Sequence, residues 1–125
     1  MSKILIVDDD PDVLEAGRLV LEKEGHDVVL AADRAEGMKK VAEESPDLLI
    51  LDVMMEEPDD GFVMAQELRR QGNPVPIMML TSVGTATGMQ FGKDDEMVPV
   101  DEFQSKPVDP ATLVEKVARL LGVQK

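Results

Sequence analysis

The sequence predicts a small doubly wound α/β domain, a parallel sheet covered by helices on both faces. Three observations carry this. Short apolar runs alternate with helix-period segments, β then α, five times along the chain. The runs are continuously apolar rather than alternating, as in strands buried on both faces. Two distant segments also share one amphipathic template: Val13, Leu14, Gly17, Val20 and Leu21 repeat the offsets of Leu113, Val114, Val117, Leu120 and Leu121. Each makes a single stripe suited to a sheet.

The elements follow in order. Lys3–Val7, Leu48–Leu51 and Ile77–Leu80 read as buried strands, His26–Ala31 as a weaker one and Glu102–Lys106 as a short one. Asp10-Pro11 opens a helix with an N-cap and a proline at the first helical position, and Asp109-Pro110 repeats the device. Asp33 with Glu36 three residues later is an aspartate version of the capping box. Gly25 and Gly122 stand where helix C-terminal glycines belong. Ser82–Glu102 fits poorly: Gly84, Gly88, Gly92 and Pro99 weaken any regular helix, since each glycine costs about 1 kcal/mol there. A short or frayed helix and a long irregular, mobile connection are expected, with this stretch as the output surface.

A chain of 125 residues is one domain, and zero cysteines exclude a disulfide framework, a thiolate zinc site and a thiol nucleophile. Thirteen Lys and Arg against 26 Asp and Glu give a net charge of -13, a field that repels phosphate backbones and anionic membranes. With three Phe, no Trp and no Tyr, few rings remain to stack on bases. No nucleic-acid or membrane partner is therefore expected. The apolar stretch Ile4–Val7 is too short for a signal core or a membrane span, so a cytoplasmic address is expected. The sequence stops at Gln124-Lys125, just past the last helix, which leads us to expect a stand-alone domain over residues 2–122 with no output domain.

In open parallel sheets ligands bind outside the carboxyl ends of the strands. Strand one ends in Asp8-Asp9, strand three in Asp52, strand four in Thr81-Ser82 and strand five in Lys106-Pro107. Three carboxylates, a hydroxyl and an ammonium thus converge on one rim. Packed carboxylates repel, and a hard divalent cation such as Mg²⁺, which favours oxygen ligands and phosphoryl groups, is the natural remedy. The lysine and hydroxyl then complete a site for a tetrahedral anion.

The pattern ILIVDDDPDV, LLILDVMM, IMMLTS and FQSKP, in that order, resembles the receiver domain of two-component response regulators over nearly the whole chain. The resemblance implies a flavodoxin-like (βα)5 fold with strand order 2-1-3-4-5, like the chemotaxis regulators. It implies that Asp52 accepts a phosphoryl group from a histidine kinase or phosphotransfer protein. Asp8 and Asp9 would hold Mg²⁺ with Asp52 and the backbone carbonyl of Met54. Lys106 would pair with the phosphoryl group, Thr81 would donate its hydroxyl, and Phe103 would occupy the aromatic switch position. The implied protein is a phosphoacceptor switch rather than an enzyme, acting on a downstream protein target. Two departures touch the signalling surface: Met55–Gly61 is longer than the usual segment, and Ser82–Glu102 replaces a Gly-Ala motif and a well-formed helix. Met54 and Val83, flanking the expected site, cannot orient a hydrolytic water, so a long-lived phosphorylated state is expected.

Plainer readings compete. Asp8–Asp10 alone would pass for a solvated acidic turn, and Asp10 is foremost an N-cap. As a calcium loop the segment fails, because Val13 and Leu19 stand where the turn glycine and closing glutamate belong. His26 and the nine methionines read as packing residues, Asp94–Glu96 as a solvated loop. A haloacid-dehalogenase-type phosphohydrolase would use Asp8 and Asp10 as its Asp-x-Asp signature with Thr81 and Lys106. It needs a second acidic pair after the lysine, and only Asp109 follows. A docking domain that is never phosphorylated is the third reading.

Overall fold

Strands that are apolar at every position have no polar face to turn outward, so both sides must be covered. The computed structural model describes residues 2–52, 60–81, 102–105 and 109–123. In order these form β1 (Lys3–Val7), α1 (Pro11–Lys23), β2 (Asp27–Ala31), α2 (Arg34–Glu44), β3 (Leu48–Asp52), α3 (Asp60–Arg70), β4 (Ile77–Thr81), β5 (Glu102–Ser105) and α4 (Pro110–Val123). The strands make one parallel sheet in the order β2-β1-β3-β4-β5. Four helices accompany them among the described residues. The expected irregular stretch Ser82–Glu102 lies outside the described residues, except for Glu102, which opens β5.

Alternate residues of β1, β3 and β4 feed two separate cores. Leu5, Val7, Leu49, Leu51, Ile77 and Met79 pack with Val41 of α2 and Met64, Ala65 and Leu68 of α3. Ile4, Ile6, Leu48, Ile50, Met78 and Leu80 pack on the other face with Leu14 and Leu21 of α1 and Leu113, Val117, Leu120 and Leu121 of α4. The shared template of the two helices is therefore the cover of one sheet face. Every residue of β3 is buried, whereas β2, at the edge, is mostly half-exposed. That is why its sequence signal is weak.

Helix ends follow the capping residues. Asp10 accepts from the Asp12 N–H at 2.9 Å, Asp33 from Glu36 N–H at 2.7 Å, and Asp109 from Thr112 N–H at 3.1 Å. Glu36 completes its box one residue early, accepting from Ala32 N–H at 2.8 Å. Gly25 ends α1 with φ 94°, a conformation that favours glycine. Gly122 differs from expectation: α4 continues through it to Val123, and its φ is not positive. A Cβ there would meet nothing within 4 Å. At Gly37 a Cβ would lie 3.0 Å from Met64 Cε and 3.0 and 3.1 Å from the two methyls of Val7.

At the amino end of the sheet, Lys3 Nζ donates to Glu44 Oε1 at 3.0 Å. This hydrogen bond, and then the lysine charge, hold the Glu44 carboxyl below its ordinary range.

Two expected outcomes follow from this packing. Gly122→Ala adds helix propensity into open space and raises urea-unfolding stability by about 0.5–1 kcal/mol, whereas Gly37→Val overpacks a rigid strand residue and lowers it by about 1–3 kcal/mol. In an NMR titration Glu44 protonates below its ordinary value, and Lys3→Met returns it there. The sign follows from the depressed folded value: any stability from the pair is present above the unfolded-state value and is lost as pH falls through the folded one.

Candidate metal and phosphoryl site

The chain runs outward from β1 to β2 on one side and to β3 on the other, so the sheet order reverses between β1 and β3. The carboxyl ends of strands at such a switch point form a crevice that no crossover helix fills. Val7 is in register with Leu51, which brings Asp8, just past β1, beside Asp52, the last residue of β3.

Asp8 is fully buried and held from two directions. Its N–H donates to Ala31 O at 3.1 Å, extending the ladder towards β2, and its Oδ1 accepts from the Asp10 N–H at 2.9 Å. Asp10 in turn caps α1, so helix start and carboxylate share one turn. Asp52 is 5 % exposed and pairs with Leu80 of β4. Asp9 is exposed. One carboxylate oxygen from each of Asp8, Asp9 and Asp52 lies within 4.8 Å of the others. Two unit charges at such a separation repel by about 3–4 kcal/mol at an effective dielectric near 20. A cation of matching hardness converts that cost into binding. The donor set, all carboxylate oxygen and mostly buried, fits a hard divalent ion and offers nothing to a soft one.

The other expected site residues are reached in part. Thr81 closes β4, opposite Ser105 of β5, at the same carboxyl edge; Phe103 stands opposite Met79 in the register. Lys106, Met54 and Val83 lie outside the described residues, as do Met55–Asp59 and Asp94–Glu96. The solvated-turn reading of Asp8 does not survive its burial. His26 precedes β2, at the amino edge of the sheet and away from the carboxylates. The sequence reading missed the Asp10 N–H as the anchor of Asp8; an aspartate two residues before a helix-capping aspartate was the available signal, because such side chains bond backbone N–H groups two residues on. No helix among the described residues is long and apolar enough to cross a membrane.

Comparison with known proteins places this geometry. The family model described as the response regulator receiver domain matches residues 4–118. The alkaline phosphatase synthesis transcriptional regulatory protein PhoP of Bacillus subtilis is 36% identical over 124 residues, 96% of this chain and 48% of that protein. The DNA-binding dual master transcriptional regulator RpaA of Synechocystis is 35% identical, covering 97% of this chain and 49% of its own length. A solved receiver domain protein from Methanospirillum hungatei superposes with a TM-score of 0.82 at 27% identity, covering 99% of this chain and 96% of that one.

These relatives correct two expectations. The chain spans about half the length of the curated relatives it matches, so a stand-alone protein finds no support in them. The exclusion of nucleic acid as a partner is overturned, since RpaA is by name a DNA-binding regulator. The physical reason is that a net charge of -13 restrains only contacts made by this chain's own surface. With a parallel sheet in this order, three carboxylates at its switch point and a family match along residues 4–118, the chain belongs to the response regulator receiver domain family.

Proposed function

We propose that Asp52 accepts a phosphoryl group from a histidine kinase or phosphotransfer protein, in the presence of Mg²⁺. The observation that carries this reading is the group formed by Asp8, Asp9 and Asp52 at the sheet's switch point. Asp8 and Asp9 hold the metal together with Asp52 and the backbone carbonyl of Met54. The bound ion supplies charge neutralisation for the phosphoryl oxygens. A carboxylate oxygen of Asp52 attacks phosphorus in line, the bond to the donor nitrogen breaks, and its electron pair leaves with that nitrogen. Lys106 pairs with the transferred group and Thr81 donates its hydroxyl to it. Asp8, held by the Asp10 N–H, keeps its carboxylate in place throughout. The protein acts as a switch, with Thr81 and Phe103 changing arrangement once the phosphoryl group is present, rather than as a turnover catalyst. The names of PhoP and RpaA support transcriptional control as the output, exerted on a DNA-binding regulator.

Treatment with acetyl phosphate and Mg²⁺, followed by mass mapping, is expected to place one phosphoryl group on Asp52. Asp52→Asn abolishes labelling and Asp8→Asn only weakens it. Labelling that survives Asp52→Asn and vanishes in Asp8→Asn identifies the phosphohydrolase alternative instead.

Mg²⁺ alone raises the melting temperature, because a ligand that binds only the folded state at 100 times its Kd adds about 2.7 kcal/mol. Asp8→Asn keeps the acceptor for Asp10 N–H but removes a buried charge. Its metal-free melting temperature rises and its response to Mg²⁺ shrinks, as thermal denaturation with and without the ion will show.

A further inference from the structure

Among the described residues, the second core is not closed between α1 and α4. A cleft of about 470 Å³ runs between the two helices, with Ile6, Ile50 and Leu80 of the sheet as its floor. Val13, Ala16 and Val20 form the α1 wall and Leu113 the facing one. The size lies within the roughly 300–1,000 Å³ usual for small-ligand sites, and an apolar body with few polar groups is the usual lining. Among the described residues that line it, the charged groups are of one sign. Asp10 and Asp12 line the cleft beside Pro110, whose neighbour Asp109 caps α4. Two helix N-termini contribute only about half a positive charge each, against three carboxylates. Their leading N–H groups are also engaged, by Asp10 and Asp109 themselves. Arg18, the nearest cation on α1, bridges Glu15 and Glu22 along its own helix.

We infer that this cleft binds a small amphiphilic monocation, a hydrocarbon body ending in an ammonium group. The hydrocarbon lies over Ile6, Ile50 and Leu80, and the ammonium rests at Asp10 and Asp12. Charge complementarity selects this occupant over a fatty acid, which would bring a further carboxylate beside Asp10 and Asp12. None of Asp8, Asp9 and Asp52 lines the cleft, although Asp10 adjoins them, and the inference does not depend on the phosphoryl-acceptor reading.

The test is NMR titration of the metal-free protein with n-octyltrimethylammonium, n-octyl sulfate and n-octyl glucoside, each kept below its micelle-forming concentration. Saturable shifts at Val13, Gly17, Val20 and Leu113 are expected for the cation, with weaker binding of the neutral compound and weakest binding of the sulfate. Asp10→Asn with Asp12→Asn preserves the cap, since Asn caps as well as Asp. Loss of two exposed charges weakens the cation roughly three- to tenfold and leaves the glucoside unchanged. Ala16→Leu, at an exposed position of the α1 wall, narrows the cleft and weakens all binding there. Equal affinity for cation and sulfate, shifts scattered outside the cleft, or indifference to Ala16→Leu overturns the inference. So does movement of the same resonances on raising protein concentration alone, which assigns the cleft to a second copy of the chain.

Discussion

Mutual repulsion of carboxylates is the constraint around which the molecule is arranged. Asp8 and Asp52 are buried next to each other with Asp9 at their edge, where each would be better solvated apart. They stay together because neither belongs to a loop free to relax. Asp52 is the last residue of a strand buried along its whole length, and Asp8 directly follows another. Moving either carboxylate away means breaking ladder hydrogen bonds or lifting Ile50, Leu51 or Val7 out of a core. Burial of several such side chains, each contributing about 1.5–3 kcal/mol, outweighs a repulsion of a few kcal/mol. The apolar strands hold the charges in place, and the charges create the affinity for a cation.

The same division of labour explains where helices come close. Gly37 of α2 lies over Val7, and Gly17 of α1 lies over Ile6, where a Cβ would approach Cδ1 to 2.9 Å. Both contacts fall on β1, the strand that delivers Asp8. Close seating of a helix on each face leaves this strand little room to shift, so the position of the first carboxylate is set from above and below as well as along the sheet.

Legibility in the sequence followed the strength of each local signal. Continuous apolar runs and a repeated helical stripe are period-based signals averaged over many residues, and they identified the sheet and its cover. Convergence of Asp8, Asp9 and Asp52 was legible because parallel strands put all their carboxyl ends on one rim; the strand order came only from the family resemblance. The edge strand β2 was blurred by its half-exposed side chains. Gly122 misled because glycine ends a helix only where the backbone turns left-handed, and a helix covering one sheet face can simply run through it. The Asp10 N–H was overlooked because the donor is a backbone group, although an aspartate two residues ahead of a capping aspartate signals such a bond. Nucleic acid was wrongly excluded because a whole-chain charge was applied to regulators about twice this length.

That charge nonetheless limits how a signal could leave the proposed site. A phosphoryl group on Asp52 would replace its single carboxylate charge by about two, beside Asp8 and Asp9, and the divalent ion and lysine of the proposed site would offset most of that charge. What remains would be screened within about 8 Å at physiological ionic strength. In the proposed switch, electrostatics alone would therefore carry little of the message. The change would then travel as displacement of packed elements. Thr81 is suited to begin it, because it closes β4 at the rim and is paired to Ser105 of β5 two residues beyond Phe103. A pull on Thr81 would then act beside β5, which has no further strand beyond it among the described residues.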